Sequence, residues 1–474
     1  RKRNLIVVAL LVLVLLAFSY FIFIKNSVHD KSIAVLPFIN LSNNAGEEYL
    51  CDGITEDILT SLANIADFKV TSFASTRQYK RTAKTIKQIA GELGVAYILE
   101  GSVKRFGDKI RITAQLINVA DDSHVWAKNY DESFSEILAI QSKVSNEIAF
   151  ALKARLSTDE KKRIESHATL NTDAYQFYLK GRYYWNMRTK EGLDTSIRFF
   201  LKAISLDDDY ALAYSGIADA YTVMCDNGYV SVDSVSAKAK NALDKALTLD
   251  SSLVEVKTSY AIYLSSMEGN GSAAINELEK IIMVNPNYAS AFQWYAIELS
   301  AKGQYATASE MIEKAVVLDP RSKRIYTTKA LIYLFEKNIN KAIEVLKKQP
   351  AELSNDLAKV KFLANLYYLK GETDSAMQYA RLAKDEILLA VLKKNKALLN
   401  QLIIAKAGEH RIPAEEIAYY YTMAGEKDSA FAWLKKSVES KEYGSLKFLA
   451  VSPYWDPLRN DPRFALLLQN SGIR

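Results

Sequence analysis

The sequence predicts one transmembrane helix, then an α/β domain, then an all-α solenoid of paired helices. Three observations support this fold class: an uncharged run at residues 5–24, alternating strand and helix patterns at 31–156, and small side chains that recur every 34 residues in the second half. We therefore predict three segments: 1–30 for a cytoplasmic stub and the membrane helix, 31–156 for the α/β domain with its exit helix, and 157–474 for the solenoid with a C-terminal cap.

The composition is that of a folded protein with ordinary apolar content. The 474 residues are 49% hydrophobic and 24% charged, with a formal net charge of +6. No Lys/Arg tract follows residue 3, so the residues given show no nucleic-acid footprint. The two cysteines, Cys51 and Cys225, are too few for a disulfide framework, and two buried free thiols are favoured over one bridge. The four histidines are scattered, so local spacing assembles neither a zinc site nor a catalytic triad.

The apolar run Leu5–Ile24 is the predicted transmembrane helix. As a helix it would span about 30 Å, the thickness of the hydrocarbon core. An uncleaved anchor is favoured over a signal peptide, because the run is long and no small-x-small cleavage site follows it. Arg1, Lys2 and Arg3 precede the run and only Lys25 follows closely. The positive-inside rule therefore predicts an inner (cytoplasmic) membrane protein with a cytoplasmic N-terminus and a periplasmic bulk.

The α/β domain begins with SIAVLPF at residues 32–38, an apolar stretch with branched side chains that predicts a buried strand. A helix is predicted to open at Asp52, with Asp52 or Thr55 as its cap and the acids Glu56 and Asp57 in its first turn. The later elements are a strand at 69–72, a helix at 85–93 capped by Gly94, a hairpin of strands 96–105 and 109–119, a strand at 124–130, and an exit helix at 135–156.

Four segments of this domain resemble the TolB-like N-terminal domain found in many bacterial membrane-bound regulators. They are SIAVLPFINLS, EEYLCDGITEDI, LGVAYILEGSVKR and IRITAQLINVADDSHVWAKNYDE, in that order and with compatible spacing. The resemblance implies tetratricopeptide repeats after the domain, a place on the outer side of a membrane helix, and a DNA-binding or nucleotide-cyclase domain on the inner side. It also implies that Cys51 occupies a packing position.

Five acids after the first strand raise the alternative of a metal site or a paired acid and base: Glu47, Glu48, Asp52, Glu56 and Asp57. Helix capping and a solvated loop are favoured, because no histidine or second ligand cluster is near in sequence. The sequence also has no phosphate loop, HExxH, GxSxG or paired CxxC motif. Since TolB-like domains are not known as enzymes, the resemblance points the same way. We expect no catalytic residue, no cofactor and no metal site in the residues given.

The second half has a 34-residue period, which is the signature of tetratricopeptide repeats. Alanines recur at two positions of the repeat: Ala274, Ala308, Ala342 and Ala376 at one, and Ala296, Ala330 and Ala364 at the other. Small side chains are needed there because the crossing helices are only about 8–10 Å apart.

In the clearest repeat, helix A is predicted at 289–302 and helix B at 305–318, with a turn at Gly303 and Pro320 blocking continuation. We predict six or seven repeats, one of them with the insertion DNGYVSVDSV between its helices. The ending SPYWDPLRNDPRFALLLQNSG breaks the period and is predicted to cap the last apolar face.

The first helix of each repeat is predicted to line the concave face of a superhelix, where extended peptides or partner helices bind. Six side chains on these helices are candidates for a peptide groove: Gln293, Arg324, Thr327, Lys361, Asn365 and Tyr368. Each one alone is explained more simply as a solvated helix position. The concave surface as a whole predicts that protein or peptide partners bind there.

The leading hypothesis is a single-pass membrane sensor or scaffold, anchored through Leu5–Ile24, whose TolB-like and repeat modules bind protein or peptide partners. The resemblance implies a transcriptional regulator whose DNA-binding domain precedes Arg1. The alternatives are an envelope assembly scaffold without cytoplasmic output and the extracytoplasmic part of a nucleotide cyclase. A homodimer is a further expectation, because single-pass signalling helices often work as dimers.

Overall fold

The computed structural model describes residues 31–42, 44–165, 169–349, 356–408 and 412–472. In these ranges a mixed β-sheet with helices on both faces comes first, and consecutive helix pairs follow to the C-terminal end. The protein is therefore predominantly a helical solenoid of the tetratricopeptide kind with a small sheet at its N-terminal side.

The predicted membrane helix at Leu5–Ile24 lies outside the described residues. Among the residues that are described, no helix is long and apolar enough to cross a membrane. On this finding the predicted location, an inner-membrane protein with a periplasmic bulk, is wrong.

The sheet consists of β1 (Ser32–Val35), β2 (Ile39–Asn40), β3 (Lys69–Thr71), β4 (Tyr97–Phe106), β5 (Lys109–Asn118) and β6 (Ser123–Ser133). Its order is β3-β1-β4-β5-β6, with β2 paired to the far part of β4. β1 runs parallel to both of its neighbours, whereas β4, β5 and β6 form an antiparallel meander. The predicted hairpin is confirmed, and β5 alternates between buried and exposed side chains as the period of two requires.

The helices of this domain are α1 (Glu48–Ala63), α2 (Phe73–Thr76), α3 (Ile86–Leu93), α4 (Ile137–Ala151) and α5 (Thr158–Glu165). Because successive strand residues point to opposite faces, Ile33 and Val35 of β1 join the core under α1 and α4, while Ala34 packs with α3. The cap predicted at Gly94 is confirmed, since this residue is left-handed with φ of 63°. Thr85, predicted as the first helical residue, is instead the N-cap and forms a capping box.

Two predicted helix ends are wrong. α1 begins at Glu48, so Asp52 and Thr55 lie inside the helix and cap nothing. Thr55 Oγ1 instead accepts a 3.0 Å hydrogen bond from the backbone N–H of Phe38 and thereby fixes the end of the first strand to α1. The exit helix stops at Ala151, because the chain takes a left-handed conformation at Lys153 with φ of 49°, and α5 follows as a separate helix.

The two cysteines are free thiols, as favoured from the sequence. Cys51 is 1% exposed and belongs to the core of the α/β domain, so its packing role is confirmed. Burial raises the pKa of both thiols to about 12, which keeps them protonated at neutral pH.

Eight helix pairs follow in the described ranges, against the six or seven repeats predicted. They are α6 (Thr172–Trp185) with α7 (Lys190–Leu206), α8 (Ala211–Asp226) with α9 (Val232–Leu249), α10 (Val254–Ser266) with α11 (Gly271–Val284), α12 (Ala289–Ala301) with α13 (Tyr305–Leu318), α14 (Lys323–Phe335) with α15 (Ile339–Lys347), α16 (Leu357–Leu369) with α17 (Thr373–Leu382), α18 (Glu386–Leu392) with α19 (Lys396–Gly408), and α20 (Ala414–Met423) with α21 (Lys427–Glu439).

The periodic alanines lie where neighbouring helices cross. All seven are 0% exposed: Ala274, Ala296, Ala308, Ala330, Ala342, Ala364 and Ala376. Half of the predicted insertion is helical, because α8 runs to Asp226 and α9 starts at Val232. The chain ends with α22 (Tyr443–Leu446), a 3-10 turn and α23 (Pro462–Asn470). Trp455 in that turn is 1% exposed and packs against α20 and α21, so the predicted cap is confirmed.

Candidate binding cavity

The α/β domain contacts the first repeat through two acids of α1. The Asp57 carboxylate accepts a hydrogen bond from the Tyr175 hydroxyl of α6 and a 2.8 Å hydrogen bond from Gln141 Nε2 of α4. Glu56 Oε2 lies 3.5 Å from Arg182 Nη2, which is also on α6. Solvent reaches part of the Asp57 side chain, but the surrounding protein desolvates the charge and raises its pKa to about 7. These acids therefore join two parts of the molecule instead of lying in the first turn of α1 as predicted.

Two repeat loops contact the same domain farther along the chain. Asp319, which follows α13, accepts hydrogen bonds from the hydroxyls of Ser72 and Ser75. Asn285, which follows α11, donates from Nδ2 to Asn64 Oδ1 over 3.2 Å. Together with the α6 contact, these bonds attach the α/β domain to the repeats at three separate places.

The C-terminal segment folds back onto the early repeats. Lys447 Nζ, just after α22, lies 2.7 Å from Glu298 Oε1 on α12 and donates a 2.9 Å hydrogen bond to Ser265 Oγ on α10. The Lys447 and Glu298 side chains are 7% and 2% exposed. At the surface, Lys441 Nζ lies 2.5 Å from Asp233 Oδ1 on α9. The superhelix is therefore closed, with its last segment against the second, third and fourth helix pairs.

This closure leaves a cavity of about 750 Å³ on the inner side of the superhelix. Its walls are the loop after α8, residues of α12, α14, α16 and α20, and the segment from α21 to the cap. The volume falls in the range of sites that hold small-molecule ligands. Aromatic rings form much of the lining: Trp294, Tyr419, Tyr420, Trp433, Tyr443 and Tyr454.

The acids of the cavity fall into two groups. Glu416 forms an ion pair with Lys361, whose Nζ also lies 3.9 Å from Asp385 Oδ2. Glu415 makes no such pair within the described part of the chain; burial, together with the like charges of Glu416 and a further glutamate, raises its pKa to about 8. Burial also raises the pKa of Asp226 at the opposite wall. The cavity thus contains carboxyl groups that lack a strong partner.

Four of the six predicted groove residues lie outside the cavity lining. Gln293 is buried and donates from Nε2 to Thr328 Oγ1 over 3.1 Å, between α12 and α14. Thr327 donates to a carbonyl of its own helix. The Arg324 guanidinium lies 5.8 Å from the ring centroid of Trp294, and solvent reaches it although protein surrounds it inside the superhelix. Tyr368 donates a 2.9 Å hydrogen bond to a carbonyl of α20.

The other two predicted residues, Lys361 and Asn365, line the cavity. Lys361 is engaged by Glu416, as described above. Asn365 Oδ1 is buried and has no hydrogen-bond partner among the residues described. The structure thus brings Lys361 and Asn365 of α16 together with α20, because positions four residues apart share one helix face.

The sequence analysis missed the cavity residues Glu415, Tyr419 and Asp226. Glu415 and Tyr419 are four residues apart in AEEIAYYYTM, a helix with no alanine period to mark its place in a repeat. Asp226 lay in the predicted insertion. The four-residue spacing of Glu415 and Tyr419 could have predicted that they share one helix face. No pattern in the sequence could have predicted that Asp226 lines the same cavity, because it is far from both residues along the chain.

Comparison with known proteins supports a regulator-like domain followed by repeats. Residues 29–147 match the family model described as HilA/YgeH-like transcriptional regulator, second domain, and residues 323–349 match a tetratricopeptide repeat model. The chain is thus similar to a HilA-like protein with tetratricopeptide repeats. The TolB-like interpretation of residues 31–156 and the predicted domain boundaries stay predictions.

Individual relatives cover this chain unevenly. "Putative adenylate cyclase 3" of Rhizobium meliloti (strain 1021) is 40% identical over 151 residues, 32% of this chain and 26% of that protein. "Transcriptional regulator HilA" of Salmonella typhimurium is 21% identical over 327 residues, 66% of this chain and 55% of that protein. The chain therefore spans between a quarter and about half the length of these relatives. Among solved structures, PilW, a type IV pilus biogenesis factor, aligns with a TM-score of 0.38 and 15% identity over 49% of this chain and 99% of that one.

Proposed function

We propose that this chain is the partner-binding part of a transcriptional regulator, in which the α/β domain and the repeats act as one body. The observation that carries the proposal is the contact of Asp57 with Tyr175 of the first repeat, together with that of Asp319 with Ser72 and Ser75 three repeats later. A partner bound to the repeats can then change the α/β domain, because the two are joined by side-chain bonds at several places.

The regulatory part of the proposal is supported by two similarities. The α/β domain matches the second domain of HilA/YgeH-like regulators, and the similarity to the Salmonella regulator extends into the repeats. The four TolB-like segments belong to the same proposal, since they cover the same residues. The DNA-binding domain that such a regulator needs is assigned to the remainder of the protein, outside the residues given.

A nucleotide cyclase is the second candidate function. It is favoured by the 40% identity to the putative adenylate cyclase of Rhizobium meliloti, which covers about a quarter of that protein. In both candidates we give the described residues a binding role and no catalytic one. Four of the five acids that raised the alternative of a catalytic pair have structural partners: Lys80 contacts both Glu48 and Asp52, and residues of α6 contact Glu56 and Asp57.

Protein partners are proposed to bind on the concave side near Arg324. The solenoid supports this role because repeats of this kind present large surfaces for other proteins. The other predicted groove residues are mostly engaged within the molecule, whereas the Arg324 guanidinium is still reached by solvent. A homodimer stays a prediction.

Deletion of the chromosomal segment that encodes this chain tests the regulatory proposal. Transcription control predicts altered transcript levels at unchanged cellular cyclic AMP. A fall in cyclic AMP would contradict it in favour of the cyclase. If neither the transcript levels nor the cyclic AMP level changed, both candidate functions would be contradicted, and a scaffold would be the function that remains.

Photocrosslinking in cells tests the proposed partner surface. A photoreactive amino acid at Arg324 should give protein adducts that the same label at Lys245, an exposed residue on α9, does not give. Equal adducts from both positions, or none from Arg324, would contradict binding at the concave side.

A further inference from the structure

The cavity inside the superhelix presents three carboxyl groups that form no ion pair in the ranges described: those of Asp226, Glu415 and Glu442. Glu442 accepts hydrogen bonds from Ser437 Oγ and from the backbone N–H groups of Ala414 and Glu415. Glu415 is the second residue of α20 and lines the cavity, and Asp226 ends α8. Buried or half-buried carboxylates are normally paired, because leaving water costs free energy unless a partner compensates. The positive charges of Lys447 and Arg324 act on Asp226, so Glu415 is the group that indicates a missing positive partner.

A second observation, independent of the acids, points to a ligand. The Tyr419 hydroxyl is buried, its residue is 5% exposed, and no described atom forms a hydrogen bond with it. Tyr419 lies one helical turn after Glu415, on the same face of α20, and both line the cavity. Asn365 Oδ1 on α16 and Ser266 Oγ on α10 are also buried atoms of the lining without a hydrogen-bond partner among the residues described. Oxygens dominate this set, so it suits a ligand that donates hydrogen bonds.

The lysines of the cavity do not fill this role, because each has another contact. Lys361 pairs with Glu416, Lys441 with Asp233, and Lys447 with Glu298. A fourth, Lys436, lies over the Trp433 ring at 4.4 Å from its centroid. The carboxyl group of Glu415 is left without a cation in the part of the chain that the structure describes.

The aromatic lining identifies the kind of cation. Its rings already attract organic cations, because Lys436 lies over Trp433, and Arg324 and Lys447 lie near Trp294. A metal ion needs several His, Cys, Asp or Glu ligands, and the described residues contain no group of three or more that could hold one. An ammonium or guanidinium group satisfies both the oxygens and the rings.

We propose that this cavity binds a small organic cation, an amine or guanidine, whose charged group lies against Glu415, donates hydrogen bonds to Tyr419 Oη and Asn365 Oδ1, and contacts the aromatic rings. This goes beyond the proposed function: it assigns a small-molecule ligand to the cavity, whose Trp294 ring lies next to Arg324 of the proposed protein-binding surface.

Isothermal titration of the chain with agmatine, spermidine and tetramethylammonium tests the proposal, with 1,4-butanediol as the neutral probe and succinate as the anionic one. At least one of the cations should bind, and the neutral and anionic probes should not. Glu415→Gln keeps the shape of the side chain and should weaken the cation about tenfold, the loss expected of one charged contact. Tyr419→Phe, which keeps the ring and removes the hydroxyl, should weaken it as well.

Glu310→Gln is the matched control, because Glu310 pairs with Lys314 on the outer surface of α13 and lies outside the cavity. It should leave binding unchanged. Circular dichroism verifies that each variant is folded. Binding of none of the cations, equal binding of butanediol, or unchanged cation affinity in folded Glu415→Gln or Tyr419→Phe would overturn the proposal.

Discussion

Lys447 and Glu298, which are 149 residues apart in sequence, form an ion pair of 2.7 Å between Nζ and Oε1 with both side chains almost fully buried. One belongs to the C-terminal segment and the other to α12 in the middle of the solenoid. A row of helix pairs that was open at its end could not bring them together. The pair therefore defines the closed form of the superhelix and the cavity inside it.

Removing one partner of this pair should be more damaging than removing both. Lys447→Met leaves the Glu298 carboxylate buried without a cation, which typically costs about 3–5 kcal/mol in the free energy of unfolding. The double variant Lys447→Met, Glu298→Leu should recover much of that loss. Urea unfolding of the parent, the two single variants and the double variant measures this recovery as a double-mutant cycle. Additive losses in the double variant would contradict a direct buried pair.

Asp57 should make the protein less stable as the pH rises. Its pKa is raised from an ordinary value near 4 to about 7 in the folded state, so the folded protein holds a proton that the unfolded chain has lost. The stability from this group is present below about pH 4 and is lost as the pH approaches 7.

Asp57→Asn should therefore flatten the pH profile, reducing the fall in unfolding free energy between pH 4 and 7 by about 4 kcal/mol. Urea unfolding at several pH values gives the comparison. Asp374→Asn, at an exposed position on α17, is the control and should keep the parent profile. A profile for Asp57→Asn that matched the parent would contradict the assignment of this carboxyl group.

A larger side chain should destabilise the protein at a buried position of the alanine period and should be tolerated at an exposed position nearby. Ala308→Leu introduces three carbons where α12 and α13 cross at 0% exposure, and should cost about 1–3 kcal/mol. Ala306→Leu, two residues earlier on the same helix, is exposed and should be nearly neutral. Thermal unfolding compares the two, and equal effects would contradict the packing account.

Local chemistry made part of the fold predictable. The turn Phe106-Gly107-Asp108 between alternating strands predicted the β4–β5 hairpin, Gly94 predicted the end of α3, and the alanine period predicted the helix crossings. Each of these signals lies within one element or recurs at a fixed distance, so the sequence alone carries it.

Other features depend on contacts that no local pattern contains. Asp52 and Glu56 resembled the start of a helix, but α1 starts earlier because Tyr49 and Leu50 join the buried core of the domain. The cavity required Asp226 and Glu415 to meet across the superhelix, and a repeat period does not specify how far a solenoid curves. For that reason the prediction of a peptide groove included Lys361 and Asn365 but did not include Glu415 and Tyr419.

Zero-length crosslinking tests the closed superhelix most directly. A carbodiimide joins a lysine to a carboxylate that it contacts, and the 2.5 Å pair of Lys441 and Asp233 is exposed on both sides, although 208 residues separate the two. Mass spectrometry should detect this crosslink alongside the control pair of Lys396 with Glu426, which lies at 2.7 Å between neighbouring repeats. Lys441→Arg should abolish only the first. Detection of the control crosslink without that between Lys441 and Asp233 would contradict the closed form and the cavity with it.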